Sequence, residues 1–357
     1  MKIENDLTEL LNIKFPVIQA PMAGGITSSE LVAEVSNAGG LGMIGAGYMS
    51  ASQIQRQIQE VRHLTNHSFG INLFIPAKYS MKNIEKAKSI LKPISEKLNI
   101  PDEYVDLPNE QRDLKSFHEQ ISVVIKERVP VCSFTFGLPP KEIVSLLKET
   151  SIVVIGTATS VEEAIMNEKA GMDAIVLQGI EAGGHRGTFL GQAHDSLIGL
   201  MALIPQVVDN VNIPVIAAGG IMDGRGLAAA KCLGAKAVQM GTAFVTSKES
   251  GANEIYKNAI LSSIETDTLL TNTFTGKLAR GIKNSFMKEM EQFRNEIPDY
   301  PIQNSLTKGI RRTSADQQNP EYMSLWSGQS PRLAKPLNVK ELLERIMFEV
   351  EVIGKNF

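Results

Sequence analysis

The stretch AGMDAIVLQG at residues 170–179 decides how the chain folds. Gly171 is typical of a residue that ends a helix, and the apolar run at 174–177 is typical of a strand that is covered on both faces. Two other stretches, AGGLGMIG at 38–45 and LGAKAVQMG at 233–241, repeat the same joint. A recurring helix-to-strand joint predicts helices that alternate with parallel strands.

Short apolar runs typical of buried strands occur eight times, and helical patterns with capping residues separate them. The predicted strands are 17–22, 41–45, 69–74, 130–135, 152–156, 173–178, 214–218 and 236–241. Thr27, Ser160 and Asp223 stand where N-terminal helix caps are expected. Eight strand–helix units predict an α/β fold, namely a (β/α)8 TIM barrel.

Gly40, Gly42 and Gly45 spell the dinucleotide-binding pattern G-x-G-x-x-G. That fingerprint needs a strand before the glycines and a helix that begins within them. Here a helical pattern precedes them and apolar residues lie between them, so the glycines indicate a helix end followed by a strand.

Two segments depart from the regular spacing, and both follow the carboxyl end of a strand. A charged insertion occupies 76–115, and a second insertion occupies 184–200. Beyond residue 247 the pattern is mainly helical. We therefore expect a barrel over 1–247 that carries the insertion 76–115, and a smaller helical unit over 248–357 near the barrel mouth. Whether 76–115 closes over the mouth as a lid stays open.

The overall composition excludes several classes of partner. The net charge is −3 with no basic block, so nucleic acid is not expected as a partner, and no apolar run is long enough to span a membrane. The N-terminus lacks the apolar core of a signal peptide. Cys132 and Cys232 lack metal-binding spacing, so we expect no metal and a cytoplasmic location. A homodimer is compatible with the sequence.

Glycine turns follow the last two predicted strands. Gly219 and Gly220 follow the seventh strand, and Gly241 and Thr242 follow the eighth. Glycine turns and helix N-termini attract phosphate, and this is the part of the barrel where phosphate sites recur. The sequence predicts a phosphate site here, although ordinary tight turns would look similar. No G-K-[ST] sequence follows, so a nucleoside triphosphate loop is not indicated.

Two amides and one small-residue turn are expected at the same mouth. Asn72 and Gln178 lie at strand ends, and an amide can pair with a heterocycle edge such as that of a flavin. Met22, Ala23 and Gly24 follow the first strand, where small residues let a flat ring lie against the backbone. The alternatives are amides that cap turns and a methionine that packs in the core.

His185 is the candidate catalytic residue. It lies in EAGGHRG at 181–187, among glycines and just past the sixth strand. Its usual pKa suits the abstraction of a proton from a carbon acid; the alternative is a surface-loop histidine. Arg186 either holds an anionic substrate or points outward, and Tyr300 and Lys308 are further candidate substrate contacts.

Together the motifs resemble the nitronate monooxygenases, formerly called 2-nitropropane dioxygenases, which are FMN-dependent barrels. The motifs that carry the resemblance are FPVIQAPMAGGIT, GINLF, VIGTATSVEEA, AIVLQGIEAGGHRGTF, PVIAAGGIMDGRG, AVQMGTAF, FTGKLARGIKNSF and LWSGQ. They cover nearly the whole chain, except 76–115 and a variable segment near 285–320.

The resemblance implies a cofactor, a base and a reaction. The implied FMN contacts are Asn72, Gln178, Gly183, Gly220, Gln239, Met240, Gly241 and Thr242. It implies that His185 is the base and that Trp326 covers the site. A nitronate, or a nitroalkane deprotonated by the histidine, would reduce FMN, and O2 would then enter to give a carbonyl compound and nitrite.

Three other functions stay open. Type II enoyl-acyl-carrier-protein reductases, which use NAD(P)H, share PMAGG, the EAGGH loop and the phosphate turns, but Arg186 is more like the monooxygenases. A flavin-free phosphosugar lyase or aldolase would favour a lysine at a strand end, and none of the eight predicted strands ends in one. The third is a flavin-binding sensor or storage module.

Overall fold

The computed structural model describes residues 3–101 and 105–356. Its strands are β1 Val17–Gln19, β2 Gly42–Gly45, β3 Phe69–Phe74, β4 Val131–Thr135, β5 Val153–Ala158, β6 Ala174–Gln178, β7 Gly184–His185, β8 Val215–Ala218, β9 Ala237–Met240, β10 Thr268–Thr271 and β11 Ala279–Ile282. Its α-helices are α1 Asp6–Leu11, α2 Ser29–Asn37, α3 Ala51–Leu64, α4 Ile84–Lys97, α5 Glu110–Lys126, α6 Lys141–Glu149, α7 Val161–Lys169, α8 Leu200–Val208, α9 Gly224–Cys232, α10 Thr242–Val245, α11 Glu254–Ser262, α12 Ser285–Met290, α13 Ile302–Leu306, α14 Lys308–Asp316 and α15 Val339–Asn356. Short 3₁₀ turns occur at Ala193–Ser196, Glu291–Phe293, Pro320–Tyr322 and Pro331–Leu333.

The predicted barrel is confirmed. Eight parallel strands run in the order β1-β9-β8-β6-β5-β4-β3-β2, and a bridge between Ile18 and Leu41 joins the two ends of the sheet. All eight predicted strands are present. The first ends at Gln19 rather than at Met22, and the chain then turns through Pro21, which has no N–H to donate to a sheet.

The glycines of the G-x-G-x-x-G pattern follow a helix and continue into a strand, as predicted. Gly42 and Gly45 are the end residues of β2, and α2 precedes them. A Cβ on Gly42 would lie 2.0 Å from the Val32 carbonyl oxygen, and one on Gly45 would lie 2.6 Å from the backbone of Met22. These glycines therefore let α2 and the turn after β1 approach the strand closely.

Two of the three predicted helix caps are confirmed, and the third is displaced by one residue. Ser160 caps α7 and Asp223 caps α9. Ser28, not Thr27, caps α2 by accepting a hydrogen bond from Leu31 N–H. The Thr27 hydroxyl instead accepts from Gly45 N–H at 2.9 Å and donates to the Met22 carbonyl oxygen at 3.2 Å. Thr27 therefore fastens the turn after β1 to β2.

The barrel interior is apolar, and a helix closes one of its ends. Ile18, Met43 and Ile216 are among the interior side chains that cluster with Leu7 and Leu11 of α1. Because α1 precedes β1, it lies at the amino ends of the parallel strands. Only their carboxyl ends remain free to open into a site, which is where such barrels place their chemistry.

The segments after residue 247 divide among three apolar clusters, one of which contains Tyr256 and Ile260 of α11. Helix α15 packs against α9 and α2 and shares the core of the barrel. Parts of 269–326, in contrast, pack against the insertion helix α4, for example through Phe274 and Phe286. The domain boundary at 247 stays a prediction. Within 3–101 and 105–356, no helix is long and apolar enough to cross a membrane.

Candidate active site

The carboxyl ends of the barrel strands open into one large cleft of about 2420 Å³. Its other walls include residues of the insertion helices α4 and α5, of α13 and α14, and Trp326. The predicted site residues that line the cleft are Met22, Ala23, Gly24, Asn72, Gln178, Gly183, His185, Gly219, Gln239, Gly241 and Thr242. Tyr300 and Lys308 line it as well. The structure therefore brings together residues that are far apart in the sequence.

Met240 and Gly220 do not line the cleft. Successive side chains of a strand point to opposite faces, so Gln239 faces the cleft while Met240 packs in the core between the strands and the helices. Gly220 has a φ of +65°, and a Cβ there would lie 3.1 Å from the Glu181 Cβ. It shapes the turn after β8 rather than the surface of the cleft.

A short strand and an aromatic enclosure hold His185 at the mouth. Strand β7 pairs with β11 in a small antiparallel sheet, in which His185 lies opposite Ala279. Its Nε2 lies 2.8 Å from the Thr275 hydroxyl oxygen. The rings of Trp326, Tyr300 and Phe136 surround the imidazole at centroid distances of 5.4, 5.9 and 6.0 Å.

This environment keeps the imidazole neutral. Burial, together with the smaller effect of the positive charges of Lys277 and Arg311, lowers the pKa of His185 from 6.5 to about 3. Lys277 Nζ lies 4.8 Å from the centroid of the Phe136 ring, on which His185 also packs. With a pKa near 3 the substrate-free imidazole is neutral but a weak base at neutral pH, and an anion bound nearby would raise the pKa towards the range in which the imidazole can take a proton.

Gln178 holds the loop that carries His185, here called the histidine loop (residues 181–190), in place. Its amide nitrogen donates to the His185 carbonyl oxygen at 2.9 Å, and its amide oxygen accepts from Gly187 N–H at 2.8 Å. Asn72, on β3, donates to the hydroxyls of Ser133 and Thr135 at 2.9 and 3.0 Å. Both amides are thus fixed in orientation at the edge of the cleft.

Arg186 takes neither of the two roles considered from the sequence. Its side chain is 1% exposed and points into the protein. The guanidinium donates to the carbonyl oxygens of Gln178, Gly179 and Ser196 at 3.1, 2.6 and 2.8 Å. Arg186 therefore ties the histidine loop to β6 and to the second insertion, and it contacts neither solvent nor the cleft.

Sequence reasoning missed the role of Glu163 as an anchor. Its buried carboxylate accepts four hydrogen bonds: two from Thr159, at 2.6 and 2.7 Å, and two from the backbone N–H groups of Phe189 and Leu190, at 2.6 and 2.9 Å. Glu163 is the third residue of α7, three residues after the Ser160 cap, and its carboxylate joins Thr159, just before the helix, to the loop after His185.

The sequence patterns indicate no role for several other residues that lie at the mouth of the barrel. Tyr48, Phe136 and Thr275 line the cleft near His185, and so does Arg311 of α14. Thr275 lies in FTGKLARGIKNSF, one of the motifs of the family resemblance, which could have identified it. Nothing comparable marked Arg311, which falls in the variable segment.

The LWSGQ segment, residues 325–329, lies against the site, as the resemblance implies. Trp326 packs on His185, and Gly328 N–H donates to the Thr242 hydroxyl oxygen at 2.9 Å. Gln329 N–H donates to the Glu181 carbonyl oxygen at 2.9 Å. This segment therefore connects the histidine loop with the turn after β9.

Comparison with known proteins agrees with this geometry. The family model described as nitronate monooxygenase matches residues 4–349. The chain belongs to the nitronate monooxygenase family. A probable nitronate monooxygenase of Staphylococcus haemolyticus is 52% identical, and the match covers 99% of both chains. The prediction of an enzyme, an oxidoreductase that acts on a small molecule, is confirmed.

Two solved structures resemble the whole chain of this nitronate monooxygenase family member. The nitroalkane oxidase of Streptomyces ansochromogenes has a TM-score of 0.92 and 37% identity, with 98% of this chain and 99% of that chain covered. FabK of Thermotoga maritima has a TM-score of 0.78 and 32% identity, with 99% and 98% covered. The likeness to nitroalkane oxidase is the greater on both measures.

Proposed function

We propose that this family member oxidises alkyl nitronates, and nitroalkanes that it first deprotonates, with O2 to a carbonyl compound and nitrite, using FMN. The observation that carries the proposal is the neutral imidazole of His185, enclosed by aromatic rings at the mouth of the barrel. Membership in the nitronate monooxygenase family supports the reaction.

The turns after β8 and β9 fit the phosphate end of FMN. Gly219 and Gly220 have φ values of +138° and +65°, so this turn carries no side chains that would block an approach to the backbone. Gly241 precedes α10, whose first N–H groups have no partners within the helix. The Thr242 hydroxyl oxygen accepts from Gly328 N–H, which leaves the hydroxyl hydrogen free for a phosphate oxygen.

The rest of the cleft fits the flat ring. A Cβ on Gly24 would meet nothing within 4 Å, so the turn after β1 presents open space. Met22, Ala23 and the amides of Asn72 and Gln178 line the same cleft. When bound there, FMN would accept electrons from the substrate and pass them to O2.

The chain's own residues prepare the substrate. His185 takes the proton of a neutral nitroalkane, whereas a preformed nitronate needs no base. Thr275 fixes the orientation of the imidazole, and the aromatic enclosure limits the access of water. Lys277 and Arg311, whose charges act on His185, also favour the negative charge of the nitronate.

An anaerobic flavin-reduction assay separates this proposal from the enoyl-acyl-carrier-protein reductase alternative. We expect propionate 3-nitronate to bleach the flavin absorbance in single-turnover measurements, while NADH and NADPH leave it unchanged at the same concentration. Bleaching by a pyridine nucleotide without bleaching by the nitronate would establish the reductase instead. A colourless protein that binds no added FMN would contradict both.

The non-catalytic alternative, a flavin-binding sensor, makes a different prediction. A sensor would bind flavin but release no nitrite from a nitronate in air, whereas we expect nitrite at a steady rate. O2 as the co-substrate, a homodimer, a cytoplasmic location and the closing of 76–115 as a lid stay predictions.

A further inference from the structure

The outer surface of α15 carries an apolar patch that the described part of the chain leaves exposed. Phe348 is 66% exposed, and Val352, about one helical turn further on, is 41% exposed. Residues four apart lie on one face of a helix, so the two side chains are neighbours. The opposite face of α15 packs on α9 and α2 and buries Ile346 and Val350. The patch therefore faces outward from the barrel wall, and neither of its residues lines the cleft.

The charges on this face of α15 follow a regular order around Phe348. Glu341 precedes Phe348 by seven residues, and Lys355 follows it by seven. Arg345 precedes it by three residues, and Glu351 follows it by three. At 3.6 residues per turn, all four lie within about 60° of Phe348 around the helix. The order along the face is therefore acidic, basic, aromatic, acidic, basic.

This order is complementary to its own reverse. Two copies of α15 that pack antiparallel and cross at Phe348 would place Glu341 opposite Lys355 of the second copy. They would also place Arg345 opposite Glu351 of the second copy, and each pair would form twice. A two-fold axis is the commonest symmetry of soluble oligomers, and it needs such a self-complementary surface. A parallel pair would place like charges opposite each other, which is unfavourable.

The contacts that these side chains make within α15 are compatible with a second partner. Lys355 pairs with Glu351 at 2.6 Å, and Arg345 pairs with Glu349 at 2.8 Å. Glu341 accepts a hydrogen bond through Oε2 from the backbone N–H just before the helix, at 3.0 Å. A carboxylate accepts several hydrogen bonds and an ammonium group donates three, so each of these groups can contact the second copy as well.

We propose that α15 is the interface of a homodimer, in which Phe348 and Val352 of two copies pack across a two-fold axis and the flanking charges pair between the copies. Burial of the apolar patch drives the association, and the charges fix the antiparallel direction. One helix from each copy makes a small interface, so the dimer should dissociate on dilution in the micromolar range. Because the patch lies outside the cleft, the dimer does not depend on the proposed function.

Sedimentation velocity over a dilution series of the full chain tests the patch. We expect a concentration-dependent dimer of the wild-type protein. Phe348→Glu should raise its Kd about 100-fold or more, because two carboxylates would meet at the axis in place of two aromatic rings. A wild-type protein that stays monomeric at every concentration up to about 1 mM would overturn the proposal. A dimer with an unchanged Kd in Phe348→Glu would overturn it too, since another surface would then form the interface.

A matched control is Met201→Glu, which makes the same change at an apolar residue of α8. Met201 is 72% exposed, so both glutamates are placed in water in the monomer and neither should unfold it. We expect the Kd of the dimer to stay within about twofold of the wild-type value in Met201→Glu. An equal rise of the Kd in both variants would contradict the proposal, because added negative charge alone would then explain the effect of Phe348→Glu.

Charge reversal tests the antiparallel arrangement. Glu341→Lys and Lys355→Glu should each raise the Kd about three- to tenfold, since each places like charges opposite each other twice. The double variant restores opposite charges and should bring the Kd back to within about twofold of the wild-type value. The two residues lie about 21 Å apart along one helix, so a contact within one chain cannot produce this rescue. Additive weakening in the double variant would contradict the proposed interface.

Discussion

The two ends of the barrel are made from the same eight strands, yet they differ in almost every physical property. At the amino end, α1 fills the interior with Leu7 and Leu11, which are at most 1% exposed. At the carboxyl end, the strands stop at glycines and amides, and two half-buried cations, Lys277 and Arg311, act on one imidazole. Apolar packing at one end stabilises the barrel, whereas the other end contains charged and polar groups that cost stability and serve chemistry.

The largest expected effect is a loss of turnover, caused by a substitution at the open, carboxyl end of the barrel. In His185→Asn, turnover of a neutral nitroalkane should fall about 10²- to 10⁴-fold, because general-base catalysis is lost. Turnover of a preformed nitronate should fall much less, since its proton is already gone. Steady-state kinetics at one pH checks both. An equal loss on the two substrates would show that the imidazole does not act as the base.

The matching change at the closed end should affect stability and leave catalysis intact. Leu11→Ala removes a buried side chain by which α1 closes the amino end of the barrel, and it should lower the free energy of unfolding by about 2–5 kcal/mol. Leu10→Ala is the control, because Leu10 is 41% exposed and should cost little. Denaturant unfolding measures the difference. If kcat per folded molecule fell in Leu11→Ala as well, the two ends would not be independent.

Glu163→Gln should affect both properties, since Glu163 connects α7 with the histidine loop. The amide has one acceptor oxygen instead of two, so a buried N–H loses its partner at a cost of about 1–3 kcal/mol. We also expect a lower kcat, because the loop is no longer held in place. Glu162→Gln, at the exposed neighbouring position, is the control. A stable variant with full activity would contradict the anchoring role of Glu163.

The smallest effect is expected at Thr275. Thr275→Val keeps the size of the side chain and removes the hydroxyl that contacts His185 Nε2 at 2.8 Å. The loss of one hydrogen bond should cost about 1 kcal/mol, roughly fivefold in kcat/KM for a neutral nitroalkane. Unchanged kinetics would show that the aromatic rings alone orient the imidazole.

The barrel could be predicted because its signals are local. Each apolar run and each glycine stop lies within about ten residues, so all eight strands follow from the sequence. The cap of α2 was misplaced by one residue because Thr27 and Ser28 are both suitable caps, and a hydrogen bond to the distant Gly45 uses Thr27. Such competition between a local and a non-local partner leaves no trace in the local pattern.

The site was predictable in part, for the same reason. Most of the candidate cleft residues follow strand ends, and the structure brings these together. Arg186 was misjudged because its partners are carbonyl oxygens, which every residue carries and no sequence pattern reveals. Arg311 was missed because α14 reaches the mouth through tertiary packing alone. Met240 was included as a member of a motif, although strand alternation turns its side chain away.

The central claim is that the mouth of the barrel keeps His185 neutral in the substrate-free protein. A proton NMR titration of the histidine ring signals from pH 5 to 8 tests it, with the His185 signal assigned as the one missing from His185→Asn. Burial and the nearby cations predict that this signal stays at its neutral-imidazole position over the whole range, because its pKa lies near 3. A His185 signal that titrates with a midpoint anywhere between pH 5 and 8 would contradict the claim.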